Sequence, residues 1–294
     1  MAIVVNTNLA SLQTQRSLSL ANQELSKSME RLASGVRINH AADDAAGMAI
    51  SQRMTAQIRS LSQANRNAMD GISLLQVAEG AYNEIGNIIV RLRELAVEAA
   101  NGTLSLTDRQ ALQTEADRLI VEITGITNST QFNNVSLLNV VGGNTVNLQV
   151  GMGTVAASVA ATDQLSVVLY SLLASSFTST GADLTSGATQ IVLTSQSNAQ
   201  ASITTLDSVL NSLNSSRANL GAAQDALESR TRNLAISVEN LTAANSRIRD
   251  VDVAKETSEM VRNQILVQVG TSVLAQANQL PSLALSLLGG GGGH

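Results

Sequence analysis

Gly151-Met152-Gly153-Thr154-Val155-Ala156 has the loose spacing of a dinucleotide-binding loop, and it follows Val146, Leu148 and Val150, which alternate with polar residues as a strand does. The rest of that fingerprint is missing. No clear helix or second parallel strand follows, and no acidic residue stands about twenty positions on, so the segment reads as a hairpin turn. His40, Asp43 and Asp44 could be drawn as a metal cluster, yet two carboxylates ahead of an apolar-periodic run are explained by a helix start, where free N–H groups favour anions. Asp250 and Asp252 open like a calcium loop. Lys255 then stands where that loop needs Gly, and Val261 where it needs Glu. A hydrolytic triad would depend on His40, because the second histidine, His294, follows a glycine run, and no Gly-x-Ser-x-Gly elbow exists. The chain has no Cys, which removes disulfides, thiol catalysis and thiolate metal sites. The expectation is a protein that is not an enzyme, with no cofactor and no metal.

Composition points the same way. The net charge of −5 is spread along the chain without a Lys/Arg block, so neither nucleic acid nor a membrane surface is an expected partner. The stretch from Leu165 to Phe177 is too short and too serine-rich to span a bilayer. The first residues lack the basic head and apolar run of a cleaved signal peptide, so export, if it occurs, is expected to use another route. Five Asn-x-Ser/Thr triplets, at Asn101, Asn128, Asn134, Asn214 and Asn240, are what chance yields in such a composition. Two Tyr, two Phe, no Trp and one Pro leave aliphatic helix-on-helix packing as the way to fill a core.

What does have a pattern is the spacing of aliphatic residues. Leu206, Leu213, Leu220, Leu227, Leu234, Leu241 and Ile248 recur every seven residues, which returns each to nearly the same helix face and makes a seam roughly 60 Å long. Met54, Leu61, Ala68, Leu75, Tyr82, Ile89 and Ala96 form a matching ladder, widened by Ile50, Ile58, Met69 and Ile72. Shorter ladders flank these: Leu18, Leu25 and Leu32 before the first, and Val253, Met260, Val267 and Leu274 after the last. The chain is expected to run out, turn and return beside itself.

Asn6, Thr7 and Asn8 suit the cap of a first helix over 9–34, which Gly35 can end. A connector over 36–42 leads to a long helix ending near Ala100, in which Gly71, Gly80 and Gly86 lower propensity but permit close approach of a neighbour. Thr107 and Gln110 resemble a capping box for a helix over 108–129 with Leu112, Ala116, Leu119, Ile120, Ile123 and Ile126 on its apolar face. Strands are expected after the Gly142-Gly143 turn and near 165–170 and 189–194. The return helix starts near Ser197, its phase breaks at Arg249-Asp250-Val251-Asp252, and a last helix over 253–279 is expected to end at Pro281.

Three strings in this sequence carry a family resemblance. Ile3-Val4-Val5-Asn6-Thr7-Asn8-Leu9-Ala10-Ser11-Leu12, the block from Arg31 to Asn39 continuing through Asp43-Asp44 to Gly47, and Gln264-Ile265-Leu266 with the stretch from Gly270 to Asn278 closely resemble bacterial flagellin. The likeness covers about 1–140 and 197–288. It implies a mainly α fold, an elongated antiparallel helical bundle and coiled coil built from both chain ends, with a small β-rich middle. The layout it implies is 1–42 and 250–294 as the two halves of a lumen-lining coiled coil, the second carrying the Gly tail; 43–140 and 197–249 as the rod; and 141–196 as a short middle with no large outer domain.

The function implied is an extracellular structural subunit that polymerises with copies of itself into the flagellar filament for motility. Partners implied are the flagellar cap and hook-filament junction proteins, an export chaperone for the C-terminal helix within the type III route, and a Toll-like receptor. The receptor-contacting pattern maps to Arg91, Leu95 and Glu115, with Val90 where many recognised members carry Gln. A hook-filament junction protein of the same superfamily and a secreted, membrane-active helical translocator are the alternative readings.

Overall fold

The structure, a computed structural model, describes residues 8–139, 144–153, 163–169 and 191–289, with side chains through 279. The chain forms two compact units, one of Met1–Ala56 with Asn240–His294 and one of Gln57–Glu239.

In the first unit, α1 (Leu9–Ser34) lies antiparallel along the final helix, α6 (Val253–Gly289), with their Cα atoms within 8 Å of one another. Asn8 caps α1 by accepting from the Ser11 N–H at 3.1 Å. Gly35 closes it, its φ of 72° in the left-handed region and its N–H on the Arg31 carbonyl at 2.9 Å. The chain then pairs for one step with the break before α6: Val36 bridges Asp250, Arg37 N–H reaches Arg249 O, and Val251 N–H reaches Gly35 O. Asp44 accepts from Gly47 N–H at 2.8 Å and opens α2 (Ala45–Ala99), while Asp252 accepts from Lys255 N–H and opens α6. Thr55 of α2 and Asn245 of α5 (Gln196–Arg249) are hydrogen-bonded in the same unit.

In the second unit the ladders are core. Leu61, Ala64, Ala68, Leu75, Ala78, Tyr82, Ile85, Ile89, Leu92, Ala96 and Ala99 are buried on α2 at alternating steps of three and four, interrupted only by Gly71, also buried. On α5, Leu206, Val209, Leu213, Leu220 and Leu227 are buried opposite them. The two helices run antiparallel: Arg93 pairs with Asp207 and Glu79 accepts from Gln224. Gly86 permits the approach of Leu213, whose Cδ2 would lie 3.3 Å from a Cβ at 86. The widening residues divide: Ile72 and Ile58 are half-buried, but Met69 and Ile50 are exposed, because the seam is only as wide as the α5 ridge that covers it.

Helix α3 (Leu106–Ser129) packs Ala116, Ile123 and Thr127 onto this core. Its capping box is Ser105 with Asp108, not Thr107 with Gln110: Ser105 N–H donates to the Asp108 carboxylate and Asp108 N–H to the Ser105 hydroxyl. A hairpin follows, β1 (Gln131–Phe132) with β2 (Val135–Ser136), turned by Asn133 and Asn134 at φ 48° and 64°. Strand β3 (Asn144–Gln149) pairs antiparallel with β4 (Gln164–Leu169). Residues 191–194, part of the expected strand near 189–194, form none: Leu193 N–H goes to Gln113 Oε1 and Val192 uses its N–H and carbonyl on Ser202 Oγ. The Gly142-Gly143 turn, residues 170–177 and residues 189–190 lie outside the described residues.

Helix α6 runs through Pro281 to Gly289, so the proline does not end it. A proline inside a helix leaves the carbonyl four residues earlier without its donor, and that carbonyl, of Ala277, accepts instead from the Asn8 side chain.

Candidate assembly surface

The residues that could do chemistry are held in structural duties. Gly153 N–H and the Asp163 carboxylate bond each other, Val150 N–H reaches Asp163 O, and Asp163 fills the space that a side chain on Gly151 would need. An anion already sits where a pyrophosphate would have to approach. The Asp43 carboxylate accepts from Asn39 and His40 N–H groups and from Lys27 at 2.9 Å. The Lys27 hydrogen bond first, then that of His40, hold its pKa down at about 2. Beside it Arg31 lies 3.7 Å from the buried Glu256 of α6, so a small ion-pair network ties α1, the connector and α6 together. His40 bonds Glu30. Among the described residues no group of three or more His, Cys, Asp or Glu is arranged to hold a metal ion.

What the first unit leaves open is apolar. The α1·α6 seam holds Leu18, Ala21, Leu25 and Leu32 on one side and Met260, Val267, Gly270, Leu274 and Ala277 on the other, but most are only half-buried, since a helix pair covers one stripe of each partner. Val253 does not join the seam. It is 60% exposed at the first position of α6, and the buried residue of that first turn is Glu256. Outside the seam α6 shows Val261, Ile265, Leu266, Val269 and Val273, each at least 42% exposed, and α1 shows Leu9, Leu12, Leu20 and Met29. Gln264, Gln268 and Thr271 line one polar stripe of α6, but the apolar arc beside it is wider than one partner helix covers and calls for further cover. Periodicity at seven finds only the seam; the apolar flanks required reading α6 without a period. Among the described residues no helix is long and apolar enough to cross a membrane.

Of the long ladders, Met54, Leu234, Leu241 and Ile248 are half-buried, whereas Leu61, Leu75, Ile89, Leu206, Leu213, Leu220 and Leu227 are core. In the second unit Arg91 and Glu115 do come together, at 2.8 Å, both about half exposed, and Glu115 and then Glu94 raise the Arg91 pKa through their hydrogen bonds. Leu95 does not join them on the surface. It is wholly buried in the core against which α3 packs, so the expected contact through its side chain is corrected. Residues four apart share a face only roughly; Arg91 reaches past the helix edge and Leu95 cannot.

Known proteins resemble this chain over almost its whole length. Residues 5–142 match the model described as bacterial flagellin N-terminal helical region, and 203–288 match the bacterial flagellin C-terminal helical region. The chain is 43% identical to a flagellin of Halalkalibacterium halodurans over 97% of its own length and 100% of that protein. It is 43% identical to a flagellin of Bacillus subtilis, covering 97% of this chain and 99% of that one. With the flagellar filament 33 kDa core protein of Treponema phagedenis it shares 40% identity over 97% of this chain and 100% of the relative.

Proposed function

We propose how this chain, which belongs to the bacterial flagellin family and is a structural subunit of the flagellar filament, enters its polymer: the exposed apolar flanks of α1 and α6 become buried against other copies. The observation that carries this reading is the wide apolar arc of α6, with Ile265, Leu266 and Val269 open on faces that α1 does not cover. Burying one such side chain contributes about 1.5–3 kcal/mol, and a heterologous contact that does not close repeats into a helical filament.

In this reading 1–42 and 250–294 line the lumen, 43–140 and 197–249 form the rod, and 141–196 is a short middle. Leu18, Leu25, Leu32, Met260, Val267 and Leu274 align α1 with α6, and the half-buried Leu234, Leu241 and Ile248 gain cover in the polymer. The filament is extracellular, reached by type III export with a chaperone on the C-terminal helix. Its ends meet cap and hook-filament junction proteins, and the chain itself carries no catalysis. A Toll-like receptor would read the exposed Arg91–Glu115 pair of the rod; Arg91→Ala should lower a receptor reporter signal from monomer, and an unchanged signal leaves the pair as an interface contact.

The assembly reading is tested with Ile265→Arg. The variant should keep the helix content of the parent by circular dichroism and form no filaments by negative-stain microscopy. Normal filaments would overturn the reading.

A further inference from the structure

We propose that Asn8 and Pro281 together set the register in which the two ends of this chain pair. A seam with a seven-residue repeat is compatible with slipped pairings, because a shift of one heptad again sets aliphatic residues against aliphatic residues. Contacts outside the repeat must choose: the Val36–Asp250 bridge and the Arg31–Glu256 pair hold one end of the seam, and Asn8 stands at the other.

The side chain of Asn8 does two things at once. Its Oδ1 accepts from Ser11 N–H at 3.1 Å and starts α1, and its Nδ2 donates to Ala277 O of α6 at 2.7 Å. Inside a helix a carbonyl normally receives the N–H four residues on, and for Ala277 that residue is Pro281, which has none. The chain contains a single proline. So one interior carbonyl of α6 is vacated by the sequence, and one side chain at the mouth of α1 fills it. Ser11 Oγ, three residues on from Asn8, donates at 2.8 Å to the Oδ1 of Asn278, the residue after Ala277, and supports the same seating. A slip of one heptad would bring Asn8 against a carbonyl that already has its donor and would leave Ala277 O without one. An aspartate at 8 would cap α1 equally well but could not donate.

The structure also supplies a reporter. A Cβ at Gly270 would lie 3.8 Å from that of Leu18, the separation of a disulfide, and the chain has no cysteine to interfere. Leu18→Cys with Gly270→Cys therefore reads the proposed register. Leu18→Cys with Asn263→Cys, one heptad away on the same face, reads the slip. The inference rests on the assembly reading, so both full-length pairs are polymerised, seen by microscopy, oxidised and resolved on denaturing gels.

Filaments of the two cysteine pairs, with no other change, should link 18 to 270 and not 18 to 263. Asn8→Asp and Pro281→Ala should each raise the slipped product relative to the in-register one by roughly three- to tenfold, as the loss of one net hydrogen bond does to an equilibrium. The two changes combined should do no more than the larger alone, because they remove halves of one contact. If Asn8→Asp does not polymerise, Pro281→Ala, a change to a better helix former, decides. An unchanged ratio in Pro281→Ala, or effects that multiply in the combination, would overturn the proposal; absence of parent filaments would instead overturn the assembly reading.

Discussion

Leu148 on β3 sits in the space that a side chain on Gly71 of α2 would occupy, so the β3·β4 hairpin lies on the rod helix at a point where that helix has no side chain. Asn67, one turn earlier, donates to Gln149 O and holds the same approach. Glycine inside a helix costs about 1 kcal/mol relative to alanine, so two of the helix's glycines give opposite expectations. Gly80 has nothing within 4 Å of a built Cβ. Gly80→Ala should raise stability by up to about 1 kcal/mol, whereas Gly71→Ala must displace Leu148 and should lose that gain or reverse it by about 1–2 kcal/mol. Urea melts of the two variants check this. Equal stabilisation would mean that the hairpin does not rest on α2.

The described segment 191–194 owes its place to two side chains. Ser202, 5% exposed, serves both the N–H and the carbonyl of Val192, and Gln113 receives Leu193 N–H while donating to Ile191 O. Ser202→Ala should therefore cost about 1–3 kcal/mol, the penalty for orphaning buried backbone groups, although only one hydroxyl is removed. Hydrogen exchange at Val192 should accelerate in parallel, and an unchanged exchange rate would contradict this account.

Acid should weaken the α1 connector. Asp43 has its pKa lowered from 3.8 to about 2, so the folded state prefers the carboxylate, and its contribution is complete above the unfolded value and lost as pH falls through the folded one. The window is thus pH 4 to 2, with an effect on the order of 1–2 kcal/mol once screening is allowed for. Asp43→Asn should be less stable than the parent at pH 5 and converge with it near pH 2. Parallel pH curves for the two would rule this out.

Packing predicts a contrast along the return ladder. Leu227 is wholly buried, so Leu227→Ala should cost about 2–5 kcal/mol by thermal unfolding. Val253, 60% exposed at the start of α6, should tolerate alanine within about 0.5 kcal/mol. A large loss from Val253→Ala in the unassembled chain would show that it is covered after all.

The heptad ladders, the cap at Asn8, the stop at Gly35 and the phase break before Val253 were legible in the sequence, because each is a local rule: a period, a side-chain acceptor, a residue free to take positive φ, and a step of the wrong length. Which pair formed the capping box was not. Thr107 with Gln110 and Ser105 with Asp108 both fit the spacing, and the bonds to Ser105 decide it only in space. Asn133-Asn134 is a hairpin signal with no alternating pattern beside it, since the strands it joins are two residues long.

The sequence by itself determined that helices from both ends carry complementary aliphatic stripes. Only the tertiary structure decided which members of those stripes are covered, that Leu95 is enclosed while Arg91 reaches Glu115, and that a proline stays inside α6. The reason is that burial and the filling of an orphaned carbonyl depend on groups hundreds of residues away along the chain, as Asn8 is from Ala277, and no local pattern records which distant atom will arrive.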